Sequence, residues 1–211
     1  MAYRRFKIDD LTNKLGLSVL VKPWLPIDLP SVRHDSLLET ILSEATKDPI
    51  NSEKARSESI VAPVLKTLRR HNPDVFNCYS GYPFNIDAAL SLVGFCDFII
   101  SLSPYKPQVE APVFCIIEAK KDDVEPAWGQ CGAAMYAARL FNQQKGKQQV
   151  IYGVVTTAFT WCFMRLDKDN QLLIDPNYVP LTFTNPYSVL SALQWILDCS
   201  LLQSKHLSNS Q

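Results

Sequence analysis

The chain has 211 residues, 47% of them hydrophobic, and its 21 basic side chains balance 21 acidic ones. That is enough chain for one sizeable core, and the balance argues against the strongly basic footprint of a dedicated nucleic-acid binder, although a local patch does not register in a total. No apolar run nears the roughly 18 residues of a membrane span, and the N-terminal MAYRRFKIDD lacks the apolar stretch of a secretory signal, so a soluble cytoplasmic protein without membrane contact is expected.

Along the chain, residues 1–49 read as an accessory segment: a short stretch FKIDDLTNKLGL, a proline-punctuated connector VKPWLPIDLP, and a helix SLLETILSEATK with leucines and isoleucine at helical spacing. Next comes NSEKARSESIVAPVLKTLRRHNP, in which Asn51 or Ser52 can cap a long helix. Ile60, Val61, Val64, Leu65 and Leu68 form its apolar stripe, Pro63 should kink or divide it, and Asn72-Pro73 ends it. Strand signals rich in β-branched and aromatic residues follow in VFNCYSGYPFNIDAALSLV, GFCDFIISL and VFCIIEAK. The small-residue segment AWGQCGAAMYAARLFNQQ suits a helix pressed closely onto a sheet.

After the polar NQQKGKQQ, the segments VIYGVVTTAF and TWCFMRLD read as two more strands, and YSVLSALQWILDCSLL as a last helix over about 186–202. The remaining 204–211 is expected to be a disordered tail. The six cysteines, Cys78, Cys96, Cys115, Cys131, Cys162 and Cys199, include no Cys-x-x-Cys pair, and with only three histidines they read as reduced, packed small hydrophobes rather than as zinc ligands. The order of elements predicts one domain over 1–203, an α/β or α+β sheet with helices packed on its faces.

One stretch carries chemistry. VFCIIEAKKDD begins as a buried strand and ends in Glu118, Ala119 and Lys120. Alternation along a strand sends Glu118 and Lys120 to one face. GFCDFIISL sets a second acid, Asp97, in an apolar strand, and the polar SPYKPQVEA joins the two. If they pair as an antiparallel hairpin, counting outward from the loop brings Asp97 opposite Glu118, give or take a bulge. Two adjacent carboxylates raise one another's pKa unless a hard divalent cation binds both. Mg²⁺ (or Mn²⁺) suits oxygen donors and keeps open positions for phosphate, and the Ala119 carbonyl can serve as a further ligand. Lys120 beside such a site can position a water and stabilise charge developing on phosphorus.

Asp97, then Glu118-Ala119-Lys120 at the end of an apolar strand, then Gln130 early in the next helix make the chain resemble the PD-(D/E)XK nuclease superfamily. IYGVVTTAFTWCFMRLD is similar to the strand pair after that helix in the nuclease domains of type I restriction subunits, and SEKARSESIVAPVLKTL to their first helix. The likeness spans about Ser52 to Asp167. It implies a restriction-endonuclease-like mixed β-sheet core over about 50–170, flanked by helices. It further implies metal held by Asp97 and Glu118, Lys120 assisting the nucleophilic water, and Gln130 orienting the lysine or the phosphate.

The family's first helix usually carries an acid. At about 100° per residue, Glu53 falls at the edge of the stripe of Ile60, Val64 and Leu68, whereas Glu58 points a quarter turn away, so Glu53 is chosen and Arg56 is placed at the border of the same face. The family's tyrosine, four residues after its glutamine, is here Ala134, with Tyr136 on a different face. The implied activity is Mg²⁺-dependent hydrolysis of DNA, or of RNA; the alternative is a catalytically silent nuclease-like binding or regulatory module. A homodimer through residues 1–49 or the last helix is compatible with both.

Overall fold

The computed structural model describes residues 3–103 and 105–208. It is a mixed α/β fold in which an eight-stranded sheet lies between two layers of helices. The strands are β1 (Ser18–Val21), β2 (Asn77–Pro83), β3 (Phe95–Ser101), β4 (Val113–Ala119), β5 (Ile151–Thr156), β6 (Thr160–Leu166), β7 (Gln171–Ile174) and β8 (Val179–Pro180). Their spatial order is β1-β7-β6-β5-β4-β3-β2, with β8 beside β6. β4 is antiparallel to β3 and parallel to β5, so it sits where the sheet changes sense. Every residue of β4 and β5 is buried, as expected of strands covered on both faces.

The helices are α1 (Ile8–Leu15), α2 (Ser36–Ala45), α3 (Glu53–Arg56), α4 (Ala62–His71), α5 (Trp128–Gln144) and α6 (Tyr187–Ser208). One face of the sheet is covered by α1 and α5, the other by α2, α4 and α6. The strand alternation divides accordingly: Ile99 and Ile116 pack toward α5, while Phe98, Ile100 and Ile117 pack toward α4 and α6. Four cysteines, Cys96, Cys115, Cys131 and Cys162, are buried free thiols, and Cys78 and Cys199 are half-buried ones. Trp161 is fully buried, its indole N–H donating to the Ala158 carbonyl at 2.8 Å. No helix among the described residues is long and apolar enough to cross a membrane.

The helical run over 53–71 is divided as Pro63 requires. Ser52 caps it, its hydroxyl accepting from Ala55 N–H at 3.0 Å. Between α3 and α4 a π-helical turn spans Ser57–Val61, and Pro63 opens α4, where its missing N–H costs least. The start of β4 is pinned by Asn142 at the end of α5. Its buried amide accepts from Val113 N–H at 2.8 Å and donates to Val113 C=O at 2.7 Å, imitating a neighbouring strand.

Residues 1–49, set apart in the sequence as an accessory segment, supply edge strand β1, which pairs in parallel with β7, and helix α1, whose Leu11 and Leu15 enter the core beneath α5. Ahead of α1, a 3₁₀ turn over Tyr3–Arg5 brings fully buried Tyr3 against the sheet, with its hydroxyl donating to Phe84 C=O at 2.8 Å. Strands β1, β7 and β8 lie outside the strand signals read from the sequence. Of the long segment VFNCYSGYPFNIDAALSLV, only Asn77–Pro83 is strand; the rest is a loop closed by an isolated Asp87–Leu92 bridge. α6 runs through Ser208, beyond the expected end near 202, so 204–208 are helical; residues 209–211 of the expected tail lie outside the described residues.

The N-terminal segment can dock this closely because Gly129 has no side chain: a Cβ there would stand 2.3 Å from the Phe6 carbonyl oxygen and 2.5 Å from the Lys7 carbonyl carbon. Both are backbone atoms, so the contact cannot be relieved by a rotamer change. Gly129→Ala is expected to destabilise the fold by about 1–3 kcal/mol, seen as a thermal midpoint lowered by several degrees in a calorimetric scan.

Candidate functional site

The site is built at the C-terminal end of β4, where a strand end beside a change of sheet sense leaves a crevice. The ladder between β3 and β4 pairs Phe98 with Ile117, and continuing this register by one residue sets Asp97 opposite Glu118. The backbone ladder stops there and a side chain takes over: Asp97 Oδ2 accepts from Ala119 N–H at 2.8 Å. Asp97 and Glu118 thus share one face, the pairing that alternation and loop length lead one to expect.

Lys120, one step beyond the strand, anchors its backbone N–H on Thr156 C=O of β5 at 2.8 Å. Its ammonium turns back to donate to Ala119 C=O at 2.7 Å. From there it stands 3.8 Å from Glu118 Oε2, 3.9 Å from Asp97 Oδ2 and 3.8 Å from Glu53 Oε1. One cation therefore serves three carboxylates from three elements, tethered by the one short hydrogen bond to its own strand.

Glu118 is fully buried. Gln130, in the first turn of α5 and itself buried, donates to Glu118 Oε2 at 2.5 Å, while Oε1 is buried without a hydrogen-bond partner. Gln130 thus contacts the acid rather than Lys120. Burial, followed by repulsion from Asp97, pushes the Glu118 carboxyl well above the ordinary glutamate range, and the Lys120 ammonium opposes the shift only in part. A buried carboxylate oxygen with no donor is costly, and such a group is a candidate for a ligand.

Glu53 reaches the site from the first turn of α3, held between Lys120 and Arg4, whose guanidinium is 3.7 Å from Glu53 Oε1. Glu58 pairs instead with Lys54 at 3.8 Å on the exposed surface. Arg56 fixes α3 in place. Its guanidinium donates to the Ile50 carbonyl at 3.2 Å, to Thr157 C=O at 3.5 Å and to Lys121 C=O, and it lies 5.7 Å from the Phe159 ring centre. It clips the helix to the turns after β4 and β5. Tyr136 lies under the Arg139 guanidinium, 4.6 Å away, in the middle of α5. Lys121, Asp122 and Asp123 are exposed in the turn after the strand.

Asp97 and Glu53 face a cleft of about 300 Å³ whose walls include Arg4, Ser80 and Ala119, and the Lys54–Glu58 pair borders the same cleft. Arg56 lies at the border of the Glu53 face, as helical spacing implies, whereas Arg4 has no signal in the sequence: it is far from the acids in the chain and reaches them with the turn that packs its Phe6–Lys7 backbone on Gly129. Among the described residues, no group of three or more His, Cys, Asp or Glu side chains is arranged to hold a metal ion; the oxygen set here is Asp97, Glu118 and the Ala119 carbonyl, with Glu53 beyond Lys120. No family model matches the chain, and no curated protein matches it.

A carboxyl whose folded pKa lies above its unfolded value favours folding fully while both states are protonated, and that contribution is lost as pH rises through the folded value. Glu118→Gln removes the ionisation while keeping the shape. It is expected to raise the thermal midpoint by a few degrees at pH 7.5, with the gain shrinking toward zero below the ordinary glutamate pKa, as measured by thermal scans across pH 4–8.

Proposed function

We propose that this chain is a divalent-metal-dependent nuclease of PD-(D/E)XK type, built on a restriction-endonuclease-like sheet, that hydrolyses phosphodiester bonds of DNA or RNA. The observation that carries the reading is the convergence of Asp97, Glu118 and Lys120: two facing acids at adjoining strand positions with one ammonium within 4 Å of both, beside an open cleft that Asp97 and Ala119 line.

The donor set fits a hard divalent ion. Two neighbouring carboxylates, a buried Glu118 oxygen with no other partner and a carbonyl at the same strand end are oxygen ligands of the kind Mg²⁺ or Mn²⁺ takes. Asp97, Glu118 and the Ala119 carbonyl would hold it, and a bound ion would neutralise phosphate charge and acidify a water.

The chain's own groups divide the remaining work. Gln130 fixes Glu118 by its amide hydrogen bond, and the Ala119 N–H fixes Asp97, so neither acid needs to reorganise when substrate arrives. Lys120, tethered to the Ala119 carbonyl, can hold a water near the scissile phosphate and offset the negative charge that develops there. Glu53 pairs electrostatically with the lysine from its far side, and Arg4 at the cleft mouth offers a countercharge to an incoming phosphate.

A second reading, a catalytically silent nuclease-like binding module, is favoured by one feature: the Lys120 ammonium already compensates the acids from within. Calorimetric titration separates the two, since Mg²⁺ or Mn²⁺ binding that disappears in Asp97→Asn supports the nuclease and its absence supports the silent module. Purified protein is expected to degrade nucleic acid with Mg²⁺ or Mn²⁺ and not in EDTA, and Glu118→Ala or Lys120→Ala should each lower the rate by at least about 10²-fold. Undiminished cleavage in both variants would overturn the proposal.

A further inference from the structure

A second depression adjoins the acidic cleft. Ser80, on edge strand β2, lines both. The second pocket, about 230 Å³, lies between α4 and the sheet; Ala62, Leu65, Cys78 and Phe98 give it apolar walls, and Lys66 and Arg69 stand at its rim. Lys66 and Arg69 also line a shallower depression with Arg70, Pro73 and Asp74, three cations to one acid, so a continuous path leads from the acids, past Ser80, over the apolar pocket and out along the exposed side of α4.

The charges along this path are uneven. Lys66 and Arg69 are exposed, one helical turn apart, and neither forms an ion pair among the described residues, whereas Arg70 is bound to Asp35 at 2.9 Å. Two uncompensated cations flanking an apolar recess match the two halves of a nucleotide: a phosphate for the cations and a flat base for the recess. At about 230 Å³ the pocket falls below the roughly 300–1,000 Å³ of sites for larger organic ligands. A base can enter it only when it is not stacked and paired within a duplex.

Resting on the nuclease reading above, the geometry points to a single-stranded nucleic acid as the substrate: its scissile phosphate lies at Asp97, Glu118 and Lys120, a neighbouring unpaired base fills the pocket under α4, and the next phosphates lie on Lys66 and Arg69. The overall charge balance of the chain is compatible with this, because only a local strip of cations is needed.

The test is equilibrium binding in EDTA, where no cutting interferes, by fluorescence anisotropy with labelled 15-nucleotide DNA and RNA strands and the corresponding duplexes. At least one single strand should bind about tenfold or more tightly than its duplex. An abasic residue scanned along that strand should weaken binding at one position, and Lys66→Ala/Arg69→Ala should flatten the dependence of log affinity on log salt by roughly 1.4, about 0.7 per lost phosphate contact. Both positions are exposed, so the double variant keeps its fold. Equal binding of strand and duplex, an abasic scan without a sensitive position, or an unchanged salt slope would each overturn the inference. Metal-dependent cleavage accompanied by equal strand and duplex binding would sink the groove alone. Strand-selective binding in a protein that never cleaves would sink the hydrolytic reading and leave the groove standing.

Discussion

The constraint on which the rest of the structure depends is the burial of one carboxyl. Glu118 ends a strand that is otherwise wholly apolar, in a position water does not reach, with a second acid across the ladder. An ionised group in such a place is tolerated only if its surroundings are built around it. Here they are: an amide from α5, an ammonium returning from Lys120 two residues on, and a facing aspartate whose own charge is turned toward a backbone N–H. Each partner comes from a different element, so the strand, the helix after it and the hairpin before it have to be mutually registered before the acid can be accommodated.

That registration is achieved largely by polar contacts remote from the acids. Asn142 fixes the start of β4 through both backbone groups of Val113, and Arg56 gathers the turns after β4 and β5 against α3. Gly129 lets the N-terminal turn lie directly on α5, which carries Tyr3 into the core and Arg4 to the cleft. The face of the sheet beneath α5 is consequently closed by a segment from the other end of the chain. The price of so close a fit is intolerance: the interface leaves no room for even a methyl group.

The sequence was most informative where the signal was local. Alternation placed Glu118 and Lys120 together, and the lengths of two apolar runs and their loop were enough to oppose Asp97 to Glu118. The elements that escaped it are short or polar. β1, β7 and β8 have four, four and two residues, too few for period-two alternation to stand out. Asn142 and Gln149 are the two ends of the polar NQQKGKQQ, yet both are buried and bonded to Val113, a use of amides that composition cannot reveal. Glu53 was reached by extrapolating a uniform helical angle through Ser57–Val61, which is a π-helical turn. The residue does meet Lys120, but the regular phase that pointed to it is interrupted. Arg4 had no local signature at all, because its position is a product of tertiary docking.

Gly81 leaves the sheet-edge side of the cleft open. It lies on edge strand β2 between Ser80, paired with Phe98, and Tyr82, paired with Cys96, and so faces Asp97 across the ladder. Its backbone has φ +59°, and no atom stands within 4 Å of where a Cβ would be. The left-handed backbone favours the smallest residue there, and the vacancy it leaves is the threshold over which anything approaching Asp97 from the sheet edge passes. Width at that threshold is thus set by backbone conformation at one residue, separately from the groups that carry charge.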